Sequence, residues 1–163
     1  MAYVTPSTVT AGTSPITAAA QNILVNNDIA LGPFFSAWTE YTPTWTNLTV
    51  GNGVQGSTYL QVGKMVIYSG RLDWGSTTSA TASDTYVSLP VAPSTTRYNT
   101  YRGSVYMTDS GVRAWIGVCY MPNTTQMGFA HTESGFFGGV NGSNPFTWGV
   151  NDAITWTITY QAA

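Results

Sequence analysis

The sole histidine, His131, stands in "FAHTESG" two residues before Glu133. In an extended segment that spacing puts both side chains on one face, where an imidazole and a carboxylate can pass a proton between them. A hydrolytic triad also needs a nucleophile. Ser134 follows directly but lacks the GxSxG turn that lifts a serine above a sheet, so the segment does not predict catalysis. The lone cysteine, Cys119 in "AWIGVCYM", excludes an internal disulfide and reads as a small core residue. The carboxylates Glu40, Asp73, Asp84, Asp109, Glu133 and Asp152 show neither zinc nor calcium spacing with one another or with His131 and Cys119. No metal or other cofactor is expected. A carboxylate pair for glycoside hydrolysis could be drawn from the same set, but only the fold can bring two of them together. The glycine clusters "GNG" at 51–53 and "GFFGG" at 135–139 lack the lysine of a phosphate loop and the helix that would follow it, so they read as turns. The expectation is a non-enzymatic protein.

Aromatic residues are the one well-supplied chemical class, at 13%. Trp74 and Trp156 lie inside strong alternation and are assigned to the core, where large rings bury much area. The stretch "SGFFGGVNGSNPFTW" instead sets Phe136, Phe137, Phe146 and Trp148 among glycine and asparagine. That composition suits either a binding loop, with rings stacking on sugars, or a contact between subunits.

Charge narrows the partners. Charged residues make up 7% of the 163, against roughly 25% in an ordinary globular chain, and the net charge is -2. Polarity comes from Thr, Ser, Asn and Gly, which repel neither one another nor a second copy, so self-assembly is expected. Five basic residues scattered from Lys64 to Arg113 form no patch for phosphates, so nucleic acid is not a partner. Apolar runs are too short for membrane insertion, and no basic segment before Lys64 predicts export.

The elements that must position these residues fall into two parts, 1–37 and 38–163. Residues 1–13 have turn and extended chemistry and read as an arm. Ser14 as N-cap, Pro15 at the first helical position, and Gly32 with Pro33 as the stop predict a helix over 15–31. Ile16, Ala20, Ile23 and Leu24 share one of its faces, and Ala18, Val25 and Ile29 another. A helix apolar on two faces either lies on its own domain or packs among subunits or on a larger particle. Ile16, Ile23, Leu24, Val25 and Ile29 are therefore the candidate anchoring or oligomer-interface residues.

From Trp38 the period becomes two, with turns marked by Gly, Asn, Ser and Pro. Strands are predicted over 44–50, 57–62, 65–74, 85–89, 102–107, 112–121, 126–130, 146–150 and 153–160. In "KMVIYSGRLDW", Val66, Tyr68, Gly70, Leu72 and Trp74 should face the core, while Met65, Ile67, Ser69, Arg71 and Asp73 face outward. In the hairpin of residues 56–78, Ser, Thr and Gln are expected on the face toward water or a sister subunit. The ending "AITWTITY" puts Ile154, Trp156, Ile158 and Tyr160 on one face and threonines on the other. The predicted fold is all-β, a jelly-roll-like antiparallel sandwich preceded by the arm and one short α-helix.

One stretch carries a resemblance. Tyr41-Thr-Pro-Thr-Trp45, the turn Gly51-Asn52-Gly53, Tyr59-x-x-Val62-Gly63-Lys64, Gly75-Ser-Thr-Thr78, Ser88-Leu89-Pro90 and a last strand ending in Tyr160 follow one another here. Together they resemble the β-sandwich domain of minor tail, fibre and head-decoration proteins of tailed bacteriophages, especially those of actinobacterial hosts. The likeness covers 41–92 and, more loosely, 146–161, and "TAAAQNILVNNDIA" resembles the short helix that precedes such domains. It implies a virion component assembled in the host cytoplasm, without enzymatic activity and often trimeric. Its partners would be copies of itself and a major capsid or tail protein. One module with an arm and helix points to a capsid-surface or head-fibre protein. The other reading is a tail module that binds a receptor or a host surface glycan.

Overall fold

The alternation of "AITWTITY" becomes the strand around which the body is built. The structure is a computed structural model that describes residues 38–95, 101–133 and 136–163, together with Asn22, Ile23 and Asn26. The side chains of Tyr101, Arg102, Glu133, Phe136 and Phe137 are not among those described. The chain divides into Met1–Ala37 and Trp38–Ala163. Asn22, Ile23 and Asn26 have helical backbone, which does not by itself establish the helix expected over 15–31, and the arm lies outside the described residues.

The described strands are β1 (Thr39–Glu40), β2 (Trp45–Thr46), β3 (Leu48–Thr49), β4 (Val54–Val62), β5 (Met65–Asp73), β6 (Ser79–Ala80), β7 (Tyr86–Ser88), β8 (Tyr101–Asp109), β9 (Arg113–Tyr120), β10 (Gln126–Glu133), β11 (Phe136–Gly139) and β12 (Ala153–Gln161). One antiparallel sheet runs β1-β4-β5-β12-β8-β9-β10-β7-β2, with β11 on β10, and β3 pairs with β6 apart from it. Strand β12 joins the β4–β5 hairpin to the β8–β9–β10 meander. The sheet curls over itself. Trp45, at one end of the strand order, packs on Trp156 of β12 at 5.6 Å between rings, and its Nε1 donates to Gln55 Oε1 of β4 at 2.7 Å. The result is an all-β, sandwich-like body whose two layers share one core.

Cross-strand register places Leu72, Ile154 and Met107 side by side, then Gly70, Trp156 and Val105, then Tyr68 and Ile158, all turned inward. Of the inward set expected along β5 and its end, Val66, Tyr68, Leu72 and Trp74 are buried, from 0% exposed at Val66 to 5% at Trp74, and Gly70 is partly buried. Cys119 is also buried, its thiol donating to Ser104 O.

Three departures from the expected pattern have local causes. The strand expected over 44–50 is split at Asn47, whose φ of 62° turns the chain while its amide donates to Asp84 O. The segment 146–150 is not a strand, because Phe146 and Trp148 turn into a stack of rings. On β4 the polar residues Gln55 and Ser57 face the core rather than water. Gln55 accepts from Trp45, and Ser57 Oγ donates to Tyr41 O at 2.6 Å, so both are satisfied inside. Val54, on the outward face of the same strand, is 70% exposed.

Burial of hydroxyls and a thiol makes stability depend on alkaline pH. Desolvation pushes the Tyr68 and Tyr160 phenols and the Cys119 thiol far above their ordinary values, although Tyr160 donates to Val91 O at 2.7 Å. In the unfolded chain the thiol gives up its proton near pH 8.5 and the phenols near pH 10. Above those values the unfolded state binds fewer protons than the folded one, so stability falls as pH rises. The urea midpoint should therefore hold between about pH 7 and pH 8.5 and fall steeply beyond about pH 10. A midpoint that stays level to about pH 11 would contradict this burial.

Candidate functional site

The outward face of β1, β4, β5, β12, β8 and β9 carries two rows of polar side chains. Register aligns Thr58, Ser69, Thr157 and Ser104 in one row across four strands. The next row is Gly56, Arg71, Thr155, Tyr106 and Ile116. Residues of these rows line a groove of about 960 Å³ that extends from Glu40 on β1 to Ile116 on β9.

Its hydroxyls are partly committed to one another, since Ser69 Oγ and Thr157 Oγ1 lie 2.9 Å apart. Arg71 is held against Asp73, with Nε donating to both carboxylate oxygens at 2.9 Å. That pair cancels its own charge and fixes the plane of the guanidinium. Its side chains remain 57% and 38% exposed, so it orients the arginine more than it stabilises the fold. Among the described carboxylates it is Glu40 that lines the groove, while Asp73 is engaged by Arg71.

The residues expected to do chemistry lie elsewhere. His131 is 1% exposed, and its Nε2 is 3.0 Å from Asn144 Oδ1, an arrangement that fixes the loop after β11. Asp152 is buried, and its two oxygens accept from Ser110 N at 2.8 Å and Gly149 N at 2.5 Å. It binds turns rather than a substrate. No group of described residues has the composition of a metal centre.

Of the four rings of the aromatic loop, Phe146 and Trp148 are described. Phe146 is 9% exposed and therefore is not displayed to a ligand. Trp74, Trp148, Phe146 and Trp115 stack in series at 4.3, 4.3 and 4.5 Å, and the Arg113 guanidinium sits 4.1 Å from the Trp115 ring. Trp148 also donates from Nε1 to Asn141 O at 2.9 Å. This ladder of rings closes one end of the core. Phe136 and Phe137 contribute backbone to β11, which pairs with β10. Ile16, Leu24, Val25 and Ile29 lie outside the described residues, and for Ile23 only its helical backbone and partial burial are known.

Tyr106 and Ile116 were not among the candidate site residues, and Glu40 stood only as one of six carboxylates. Their signal was weak: Arg71 and Asp73 stood in the outward set of β5, but Tyr106 and Ile116 become their neighbours only through β12. Compared with models of known protein families, with curated proteins and with solved structures, the chain matches none.

Proposed function

We propose that the chain is a non-enzymatic structural protein of a bacteriophage particle, a small self-associating capsid-surface decoration or head-fibre protein. The β-body projects and contacts its copies, and residues 1–37 attach it. The resemblance of residues 41–92 to phage β-sandwich modules supports this reading, and so does the scarcity of charge.

One structural observation carries it furthest. Val112 and Val150 are 72% and 54% exposed at the tips of two turns, and Asp152 binds both turns through Ser110 N and Gly149 N. Val54, 70% exposed, lies opposite Asp73, which in turn pairs with Ala153 beside Asp152. One end of the body therefore displays apolar side chains on braced turns, a surface suited to burial against a second copy. Neutral hydroxyls around it can pair across a contact without leaving a buried charge unpaired.

The full chain should sediment as a trimer, and Val112→Asp with Val150→Asp should shift it toward monomer. Ile23→Asp with Leu24→Asp should remove it from purified particles while its β-type circular dichroism is unchanged. A chain that stays monomeric at high concentration, or a double variant incorporated at the parent level, would overturn the proposal.

A further inference from the structure

We propose that the outward groove between Glu40 and Tyr106 is a binding site for a neutral oligosaccharide. This does not rest on the particle reading, since it follows from the groove's own chemistry.

A pyranose offers two surfaces: a ring of hydroxyls that donate and accept, and a face of C–H groups that packs on an aromatic ring. The groove has a counterpart to each. Thr58, Ser69, Thr157 and Ser104 supply a row of neutral hydroxyls. Each has one donor and two acceptor positions, and the Ser69–Thr157 bond uses only a fraction of them. Arg71 gives Nε and one terminal nitrogen to Asp73, which leaves further N–H groups in a fixed plane for paired hydroxyls. Glu40 offers carboxylate acceptors from β1.

For the C–H face there is Tyr106, 49% exposed beside Ile116 at 74%. Tyr106 lines the groove with about half of its surface exposed. Gly56 lies at the other end of the same row, on β4, with Arg71 and Thr155 between it and Tyr106. A Cβ built there meets nothing within 4 Å, so the lack of a side chain leaves room that the fold does not use.

Charge selects the class of sugar. Arg71 and Asp73 cancel, and among the described residues Glu40 is the other charged group lining the groove, so anionic sugars and phosphates are disfavoured. The volume, about 960 Å³, is at the upper end of the range for small-molecule sites and accommodates more than one ring. The surface already assigned to a second copy is another one, the apolar turns that carry Val112 and Val150.

The test is to apply the labelled full chain to a printed array of neutral and anionic oligosaccharides, then to titrate the strongest neutral binder by calorimetry. Neutral sugars should bind. Tyr106→Ala should weaken binding about tenfold, and Gly56→Phe, which fills the floor, should reduce it beyond detection. Both variants should melt and sediment like the parent. The proposal is overturned if no neutral sugar binds, if anionic sugars bind preferentially, or if Tyr106→Ala binds as well as the parent. It is equally overturned if either variant loses self-association instead, which would assign the groove to a second copy.

Discussion

Trp156→Ala is expected to lower the stability of the β-body by about 3–5 kcal/mol, a large part of the roughly 5–15 kcal/mol that holds a typical domain folded. Trp156 is 2% exposed and sits where the two layers meet. Its ring contacts Trp45 at 5.6 Å, Phe129 at 5.7 Å and Tyr68 at 5.9 Å, which brings β2, β10 and β5 onto β12. It also lies flat over Gly70, its cross-strand partner, where a Cβ would come within 2.3 Å of Cζ2. The indole and the glycine are thus one packing unit. The neighbours of a deleted indole are strand residues fixed by ladder hydrogen bonds, so they cannot move in to fill the space. Urea unfolding followed by circular dichroism should show a lower midpoint at unchanged slope, with Trp156→Phe intermediate. A loss below about 1 kcal/mol would mean that the two layers are joined elsewhere.

The residue pattern made the centre of this body legible and its surface site illegible, for the same physical reason. Hydrophobic alternation reports which face of a strand is buried, so β5 and β12 could be read from Val66, Tyr68 and Leu72 and from Ile154, Trp156 and Ile158. It fails where a buried position is polar and satisfied. Gln55 and Ser57 look solvent-facing until Trp45 and Tyr41 arrive as their partners from outside the strand. It fails again where a single residue breaks a run, as Asn47 does with its left-handed backbone. The groove depends on none of these local signals. Thr58, Ser69, Ser104 and Thr157 are ordinary outward residues of four strands, and only the insertion of β12 between β5 and β8 sets them in one row. The aromatic loop misled for the opposite reason. Glycine and asparagine around Phe146 and Trp148 suggest display, yet the freedom they give the backbone lets the rings turn inward onto Trp74 and Trp115.

Asp152→Ala is expected to cost about 2–3 kcal/mol, the usual value of buried hydrogen bonds to a charged acceptor. The carboxylate is 4% exposed and holds the β8–β9 turn by Ser110 N and the turn before β12 by Gly149 N. Its backbone is engaged as well, Trp74 N donating to Asp152 O at 2.8 Å. Asn151, with φ 70°, completes the turn that delivers the carboxylate to this position. Removing the side chain leaves those backbone bonds in place, so the body should still fold, but the two turns lose their common brace. Amide exchange should therefore quicken first at Ser110 and Gly149, ahead of any change in β12. Asp152→Asn keeps one acceptor and turns an N–H donor toward a second N–H, so it should recover only part of the loss. Because the same turns carry Val112 and Val150, self-association should weaken more than the fold does. If stability and exchange at Ser110 both match the parent, the carboxylate is not the brace, and the apolar end of the body must be ordered by its strands alone.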